Sequence, residues 1–272
     1  GDDDTDPDTG FYSAPKTSMA GDRPGGPAMP VLIAHRGEPE SFPENSIAGY
    51  EAVLQAGALW IETDVQITAD GVPVLCHDPS LLKITGQDLP VTDTKYTDMQ
   101  DLPAGYPERF GDSFSHLRIS RLDEFTRLLA QWPRARAFVE IKPHSLTEHD
   151  IQRVIDIVLE ALAPCLSQCI LISFEYEALQ QVRRCCNLPI AWVLPEWSEQ
   201  TRQQAKALMP EHLFCNRKRL PDGLRQLWPG SWTWAIYTVN TMEDAKYFAS
   251  LGADMVETDV IRQLIQSGLA SG

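Results

Sequence analysis

From Val31 onward, short apolar runs alternate with helical patterns, and this order constrains the fold more than any other feature of the 272-residue sequence. Strands that alternate with helices are typical of a parallel α/β sheet, because each connection must return along a face of the sheet. The predicted strands cover residues 31–35, 60–65, 137–141, 169–172, 190–194, 212–215, 233–237 and 254–257. Eight strands with eight intervening helices fit a closed TIM (β/α)8 barrel, typically about 250 residues long, better than an open sheet.

Three of the intervening helices have clear signals in the sequence. Ser46 is an N-cap residue before a helix whose apolar positions follow the 3.6-residue period and which ends at Gly57. Thr241 begins a second helix in the same way, and Gly252 ends it. The longest periodic stretch runs from residue 146 to residue 162 and predicts a single helix over that range.

The chain is predicted to hold one folded domain after an irregular beginning. Residues 1–28 combine many Asp, Pro and Gly residues without any period, which is typical of a flexible acidic leader, and residues 29–272 form the barrel domain. Residues 79–117 interrupt the alternation of strands and helices. We expect them to form a small insertion above the barrel, after the second strand region, since the segment is too short for its own core.

The acidic composition excludes several classes of partner. The chain has 23 Lys and Arg residues against 38 Asp and Glu residues, and its net charge of −15 opposes nucleic-acid binding and stable membrane association. Six cysteines without paired zinc spacing are expected to be reduced packing residues, which favours the cytoplasm. Because the sequence begins with Gly rather than Met, a removed leader leaves a periplasmic or secreted location open. The sequence makes no prediction of the oligomeric state.

Polar residues at the ends of predicted strands mark the expected site, because the chemistry of a barrel takes place at the carboxyl ends of its strands. The first strand ends in His35, an acid/base candidate, and Arg36, whose guanidinium can hold a phosphate. Glu62 and Asp64 are two residues apart on the second strand, so their side chains converge on one side. This pair is costly unless a cation neutralises it, and its hard oxygen ligands favour Mg²⁺ or Ca²⁺.

Two further segments bring polar residues to the same rim. A short strand over residues 72–76 is followed by His77, which gives the carboxylate pair a second neighbouring histidine. The third strand places Glu140 and Lys142 on one side, the first as a third carboxylate ligand and the second as a cation for a phosphate oxygen. Two histidines can share proton removal and proton donation. Together these residues predict metal-assisted phosphoryl chemistry.

Seven motifs occur in one order along the chain: H-R-G, P-E-N-S, E-T-D, D-G-x-P-V-x-H-D, E-I-K-P, S-F-E and Y-T-V-N. In order and spacing they resemble the glycerophosphodiester phosphodiesterase family, from about Val31 to the last residue, and in length the chain is similar to its compact cytosolic bacterial members. The resemblance implies a TIM barrel. It also implies hydrolysis of deacylated-phospholipid diesters, such as glycerophosphocholine, to sn-glycerol 3-phosphate and an alcohol.

The resemblance also implies roles for individual residues. By their motifs, His35 and His77 match the family's acid/base pair. The matching metal ligands are Glu62, Asp64 and Glu140, and the matching phosphate-binding residues are Arg36 and Lys142. Glu44 matches a carboxylate near the metal and is assigned to the substrate pocket with Phe174 and Tyr237, which fall on positions that line the glycerol.

The sequence departs from the family's pattern in two places. Glu38 follows H-R-G where a small residue is usual, so we expect additional negative charge at the mouth of the site. Glu257 and Asp259 repeat the E-T-D string near the end of the chain, where similar sequences have an apolar residue before T-D. We expect this second pair to be structural, because the first pair is the one followed by the hairpin and H-D.

Several alternatives stay open at this point. The sequence does not separate Mg²⁺ from Ca²⁺, assign acid and base to the two histidines, name the head group, or decide between direct attack by water and a cyclic phosphate. Two rival functions also remain. One is a lysophospholipase D or phospholipase C-like phosphodiesterase on the same barrel, which would need an apolar rim facing the membrane. The other is a catalytically inactive binding barrel, which would have lost a histidine or a metal ligand.

Overall fold

Nine β-strands form one closed sheet in the computed structural model, which describes residues 28–272. The strands are β1 (Val31–His35), β2 (Trp60–Ile67), β3 (Pro73–Leu75), β4 (Arg136–Ile141), β5 (Cys169–Ser173), β6 (Ile190–Val193), β7 (His212–Asn216), β8 (Thr233–Tyr237) and β9 (Met255–Thr258). Eight of them pair in parallel around a ring that closes between β1 and β9, and β3 forms an antiparallel hairpin with β2. The predicted TIM barrel is confirmed. The leader predicted over residues 1–28 lies, apart from residue 28, outside the described residues.

Helices surround this barrel and also occur in the insertion. They are α1 (Ile47–Gln55), α2 (Leu82–Thr85), α3 (Tyr96–Met99), α4 (Pro107–Phe110), α5 (Leu122–Ala130), α6 (Pro143–Glu148), α7 (Ile151–Leu162), α8 (Tyr176–Cys185), α9 (Glu199–Leu208), α10 (Met242–Ser250) and α11 (Ile261–Gln266). The predicted caps are confirmed, since the side chains of Ser46 and Thr241 accept hydrogen bonds from backbone N–H groups three residues ahead. Over residues 28–272, none of the helices has the length and apolar character that crossing a membrane requires.

The helix predicted over residues 146–162 is in fact two helices, α6 and α7. Asp150 lies between them in an extended conformation, and its side chain accepts a hydrogen bond from the backbone N–H of Arg153. Asp at this position starts a new helix, because its carboxylate satisfies an N–H that has no partner within the helix. The apolar period continues across the break, which is why the sequence pattern alone did not reveal it.

The connection between β7 and β8 also differs from the prediction of a helix after every strand. Only a 3₁₀ turn over Arg217–Arg219 follows β7, and the chain then runs irregularly to β8. Pro221 and Pro229 lie in this connection and oppose a continuous helix. Trp228 instead stacks on Trp197, with ring centroids 4.0 Å apart, and covers the barrel where a helix would lie.

Large apolar side chains fill the interior of the barrel below its carboxyl end. Trp60 stacks on Phe138, and Phe138 meets Phe214 edge-to-face, with ring centroids 5.5 and 4.9 Å apart. These rings belong to an apolar cluster inside the ring of strands, and a second, larger cluster lies between the sheet and the outer helices. Because the interior is packed, polar side chains are concentrated above it, at the carboxyl ends of the strands.

The insertion over residues 79–117 packs as a small layer on the β2–β3 hairpin. Leu81, Val91 and Met99 form a buried apolar cluster with Val74 and Cys76 of the hairpin region. From its length we expected that the insertion would be too short for a core of its own. It shares its apolar core with the hairpin that ends at the predicted site.

Candidate active site

A cleft of about 320 Å³ opens at the carboxyl ends of the barrel strands. Eight of the residues predicted from the sequence line it: His35, Arg36, Glu62, His77, Glu140, Lys142, Phe174 and Tyr237. Of the remaining two, Asp64 lies beside the cleft among the carboxylates, and Glu44 lies outside the lining. Residues that the sequence analysis did not assign to the site also line the cleft: Asn216, Arg219, Thr238 and Glu257.

Three buried carboxylates converge at one side of the cleft. Glu62, Asp64 and Glu140 each offer an oxygen atom, and these atoms lie within 4.8 Å of one another. Burial, together with the neighbouring charge of Asp64, raises the pKa of Glu62 and Glu140 well above the usual value. The Asp64 Oδ1 atom accepts no hydrogen bond within residues 28–272. Converging oxygen donors with an unpartnered atom among them fit a hard divalent cation such as Mg²⁺ or Ca²⁺.

The loop after β1 holds Asp64 in position through Asn45. Asn45 has a left-handed backbone conformation (φ 59°), and its Nδ2 group donates a hydrogen bond to Asp64 Oδ2 at 3.0 Å. The Asn45 Oδ1 atom accepts from the backbone N–H of Asp64 at 3.2 Å. Both contacts are buried, so Asn45 of the P-E-N-S motif holds the carboxylate of Asp64 and also its backbone.

Arg36 and Lys142 supply positive charge on either side of the carboxylates. The Arg36 Nε atom lies 3.3 Å from Asp64 Oδ2, and the Lys142 Nζ atom lies 3.4 Å from Glu140 Oε2. Burial would lower the pKa of Lys142, but the charge of Glu140 and the other carboxylates raises it above the usual value. Both side chains are therefore cationic at neutral pH and border the cleft where an anion can meet them.

His35 is held by a carboxylate from the opposite end of the chain. Its Nδ1 atom lies 2.8 Å from Asp259 Oδ1, and its Nε2 atom lies 3.9 Å from Glu62 Oε2. A carboxylate that accepts from Nδ1–H fixes the tautomer and leaves Nε2 for a ligand. The second E-T-D string, which we expected to be structural, therefore also reaches the cleft: Asp259 contacts His35, and Glu257 is among the lining residues.

His77 has a similar partner on the other side of the cleft. Its Nδ1 atom lies 2.7 Å from Asp78 Oδ1, and burial lowers the pKa of the imidazole below its usual value. Lys83 of α2 in the insertion places its Nζ atom 2.9 Å from Glu44 and 3.5 Å from Asp78. Glu44 also lies 3.4 Å from Arg36, so it bridges two cations rather than facing the cleft.

Glu38 does not add free negative charge at the mouth, as we had expected. It is only 4% exposed, and its carboxylate accepts hydrogen bonds from the backbone N–H and the Nε group of Arg262, at 3.1 and 2.7 Å. The charge of Glu38 is neutralised by this pair, which links the loop after β1 to α11.

The arrangement of histidines, carboxylates and cations has a counterpart in known proteins. The sequence profile of the glycerophosphoryl diester phosphodiesterase family matches residues 35–263. The chain belongs to this family. Membership confirms the resemblance indicated by the seven motifs and, at the level of the family, the prediction of an enzyme that hydrolyses phosphoric diesters.

Relatives in the glycerophosphodiester phosphodiesterase family align over most of the chain. The enzyme named glycerophosphodiester phosphodiesterase from Caldanaerobacter subterraneus subsp. tengcongensis is 28% identical over 242 residues, which cover 86% of this chain and 96% of that protein. A putative glycerophosphodiester phosphodiesterase of Bacillus subtilis, YhdW, is 27% identical over 247 residues, which cover 87% of this chain and 97% of that protein.

Solved structures of phosphodiesterases share the barrel. A phosphodiesterase from Oleispira antarctica, determined in complex with its product sn-glycerol-3-phosphate, superimposes with a TM-score of 0.76 at 24% identity and covers 88% of this chain and 96% of its own. A putative glycerophosphoryl diester phosphodiesterase from Silicibacter pomeroyi superimposes with a TM-score of 0.75 at 23% identity and covers 90% of this chain and 96% of its own. At such identities the likeness confirms the fold.

Besides Asn216, Arg219 and Thr238, the sequence analysis left three residues with contacts at the site out of the predicted site. Lys83 lies in the irregular insertion, where no periodic pattern marks a position near the site. Glu257 and Asp259 had a usable signal, because they lie at the end of the last strand, and every barrel strand delivers its final residues to the same rim.

Proposed function

We propose that the protein hydrolyses glycerophosphodiesters to sn-glycerol 3-phosphate and an alcohol, using a divalent cation and two histidines. The observation that carries this proposal is the placement of His35 and His77 in one cleft with the three-carboxylate cluster. Family membership supports the reaction class, and the product bound to the Oleispira antarctica relative supports the glycerol phosphate half of the substrate.

Glu62, Asp64 and Glu140 would hold Mg²⁺ or Ca²⁺ through their converging oxygen atoms. Such a cation supplies charge stabilisation to phosphoryl oxygens and neutralises carboxylates that otherwise repel one another. Lys142 and Arg36 bind the remaining negative charge of the phosphate, since both are cationic and border the cleft.

The two histidines divide the transfer of protons. One accepts a proton from the attacking hydroxyl or water, and the other donates a proton to the oxygen of the leaving alcohol. Asp259 and Asp78 accept from the Nδ1 atoms of His35 and His77, so each imidazole presents Nε2 to the substrate. Such acid/base assistance is worth roughly 10²–10⁴-fold in rate.

Phe174 and Tyr237 line the cleft together with the apolar residues Ile172, Val193 and Phe214. We assign Phe174 and Tyr237 to the carbon chain of the glycerol, because aromatic faces pack well on short polyols. The Lys142 Nζ atom lies 5.9 Å from the centroid of the Phe174 ring, which supports a glycerol side of the pocket next to its phosphate side. Glu44 supports this pocket indirectly, through Arg36.

A small water-soluble diester fits the surface better than a lipid does. Over residues 28–272, the large apolar side chains that are more than half exposed are Leu82, Met209 and Tyr247. Leu82 lies on α2, Met209 directly after α9, and Tyr247 on α10, so they form no continuous apolar rim. A lipid-cleaving enzyme gains its affinity for membranes from such a rim.

The cysteines favour a reducing compartment, and we propose that the protein works in the cytoplasm. All six cysteines lie within the described residues and are free, and the Sγ atoms of Cys165 and Cys169 are 3.8 Å apart without a bond. Six free thiols persist where glutathione keeps them reduced. Counting alkylated thiols in protein from its native source tests this, since disulfide-linked cysteines would contradict the proposal.

The test of the reaction is a release assay for sn-glycerol 3-phosphate from several glycerophosphodiesters, before and after chelation with EDTA. We expect release that stops on chelation and returns with Mg²⁺ or Ca²⁺. His77→Ala should release the product at least about 10²-fold more slowly in the same assay, whereas His116→Ala, which alters an exposed histidine of the insertion, should behave as the wild type. Release that persists after exhaustive chelation would remove the cation from the proposal.

A further inference from the structure

Glu257 is a buried carboxylate in the cleft that takes no part in the chemistry proposed above. Its side chain at the end of β9 lines the cleft although the residue is only 4% exposed. Its Oε2 atom accepts no hydrogen bond within residues 28–272, and it lies outside the cluster of Glu62, Asp64 and Glu140. Since a buried oxygen without a donor is costly, this atom is suited to a donor that arrives with the substrate.

The depth of Glu257 identifies the part of the substrate that can reach it. Glu257 pairs with Ile33 of β1, and His35 lies two residues further toward the rim. Two residues along a strand correspond to about 7 Å, so Glu257 lies that much deeper than the histidine. On the other side, Ile236 of β8 pairs with Val256 of β9, so the next residues, Tyr237 and Glu257, are also level with each other. Both line the cleft, and they therefore lie at the same depth in it.

The terminal hydroxyl is the hydroxyl of a glycerol phosphate that is farther from the phosphorus, so with the phosphate near the histidines it is the one that can reach this depth. We propose that Glu257 accepts a hydrogen bond from the terminal hydroxyl of the glycerol and so determines specificity for a polyol diester. This assignment rests on the proposed function. An alkyl chain in the same place would leave the carboxylate without a donor, and sites of this kind discriminate strongly against substrates that lack the hydroxyl.

Two nitrophenyl diesters that differ in one group test the assignment. The 4-nitrophenyl diester of sn-glycerol 3-phosphate carries both hydroxyls, and that of propane-1,2-diol 1-phosphate lacks only the terminal one. For the wild type we expect kcat/KM to be at least about tenfold higher on the glycerol diester, because the other diester leaves a buried acceptor without a donor. Glu257→Leu should bring the ratio of the two kcat/KM values, glycerol diester over propanediol diester, close to one. Glu257→Gln keeps an acceptor oxygen and should retain part of the preference for the glycerol diester.

The neighbours of Glu257 make Leu a reasonable replacement, since Ile33 is its partner on β1 and Phe214 lines the same cleft. Glu177→Leu, an exposed change on α8, is the matched control and should keep the wild-type ratio. If Glu257→Leu does not fold, the Gln variant decides, because an unchanged ratio would overturn the assignment.

Three other outcomes also overturn the assignment, and they show whether the proposed reaction fails with it. If the ratio stays constant but Glu257→Gln changes the preference among leaving alcohols, such as choline and ethanolamine, the carboxylate serves the leaving group instead. A wild type that cleaves both diesters equally well would refute the role of Glu257 and leave the proposed function standing. A wild type that cleaves neither of them, nor any glycerophosphodiester, would refute both.

Discussion

Asp259 Oδ1 lies 2.8 Å from His35 Nδ1, and this contact joins the last strand of the barrel to the histidine at the end of the first. The two residues are 224 positions apart in the chain. Closure of the barrel between β1 and β9 therefore closes the sheet and also brings a carboxylate to the histidine that we propose as one of the acid/base pair. The orientation of His35 depends on a residue that belongs to no histidine motif.

Asp259→Asn should lower kcat about 10²-fold, because the imidazole of His35 loses the acceptor that fixes its tautomer and a small misplacement is costly. Binding of the cation should survive, since the three carboxylate ligands are unchanged. Steady-state kinetics with thermal unfolding at increasing Mg²⁺ measure the two effects. Asp244→Asn, which alters a carboxylate paired with Arg217 outside the cleft, is the control. Normal kcat in Asp259→Asn would contradict the role given to this contact.

Replacing either His35 or His77 by Ala should lower kcat by about 10²-fold or more with little change in the fold, because both lie at the rim. The losses should be non-additive in the double variant. On a nitrophenyl diester, whose leaving group needs less protonation, the variant of the acid should recover part of its rate and the variant of the base should not. Equal defects of both variants on both substrates would contradict the division of roles.

Removing one ligand should reproduce chelation. Asp64→Asn should lose turnover, and Mg²⁺ or Ca²⁺ should no longer raise its unfolding temperature, whereas both ions should raise that of the wild type. The reason is the close approach of Glu62, Asp64 and Glu140, whose carboxylates repel one another and which we propose as the cation's ligands. Differential scanning fluorimetry over a cation titration measures the shift. Equal stabilisation of wild type and Asp64→Asn would place the cation elsewhere.

Stability should fall as the pH is lowered from 6.5, in part because of His212. Burial inside the barrel lowers the pKa of His212 to about 3, while the unfolded chain binds this proton near pH 6.5. Between these values the unfolded state holds one more proton, so this residue alone lowers the free energy of unfolding by about 1.4 kcal/mol per pH unit of acidification. Above pH 6.5 its contribution is constant.

Urea unfolding of His212→Gln at pH 4, 5, 6 and 7 tests this expectation. The variant should depend less steeply on pH than the wild type, and His116→Gln, at an exposed position, should keep the wild-type slope. Parallel curves for His212→Gln and the wild type would show that His212 titrates normally in the folded protein.

The sequence predicted the barrel and most of its rim because both depend on local patterns. The spacing of Glu62 and Asp64 on one strand predicts that their carboxylates converge, and the position of Ser46 before an apolar period predicts a helix N-cap. What escaped prediction depends on contacts between distant segments. Glu38 was expected at the mouth, yet its partner Arg262 lies 224 residues away, and Lys83 reaches Glu44 from an insertion without a pattern.

The shared core of the insertion and the hairpin has a consequence for how the protein loses its activity. Because that apolar cluster is separate from the clusters inside and around the barrel, the insertion can open as its own cooperative unit, at a lower free energy than global unfolding. Opening would withdraw Lys83 from Glu44 and Asp78. Mild denaturant would then abolish the catalytic activity at concentrations where the backbone amides of the barrel strands are still protected from hydrogen exchange.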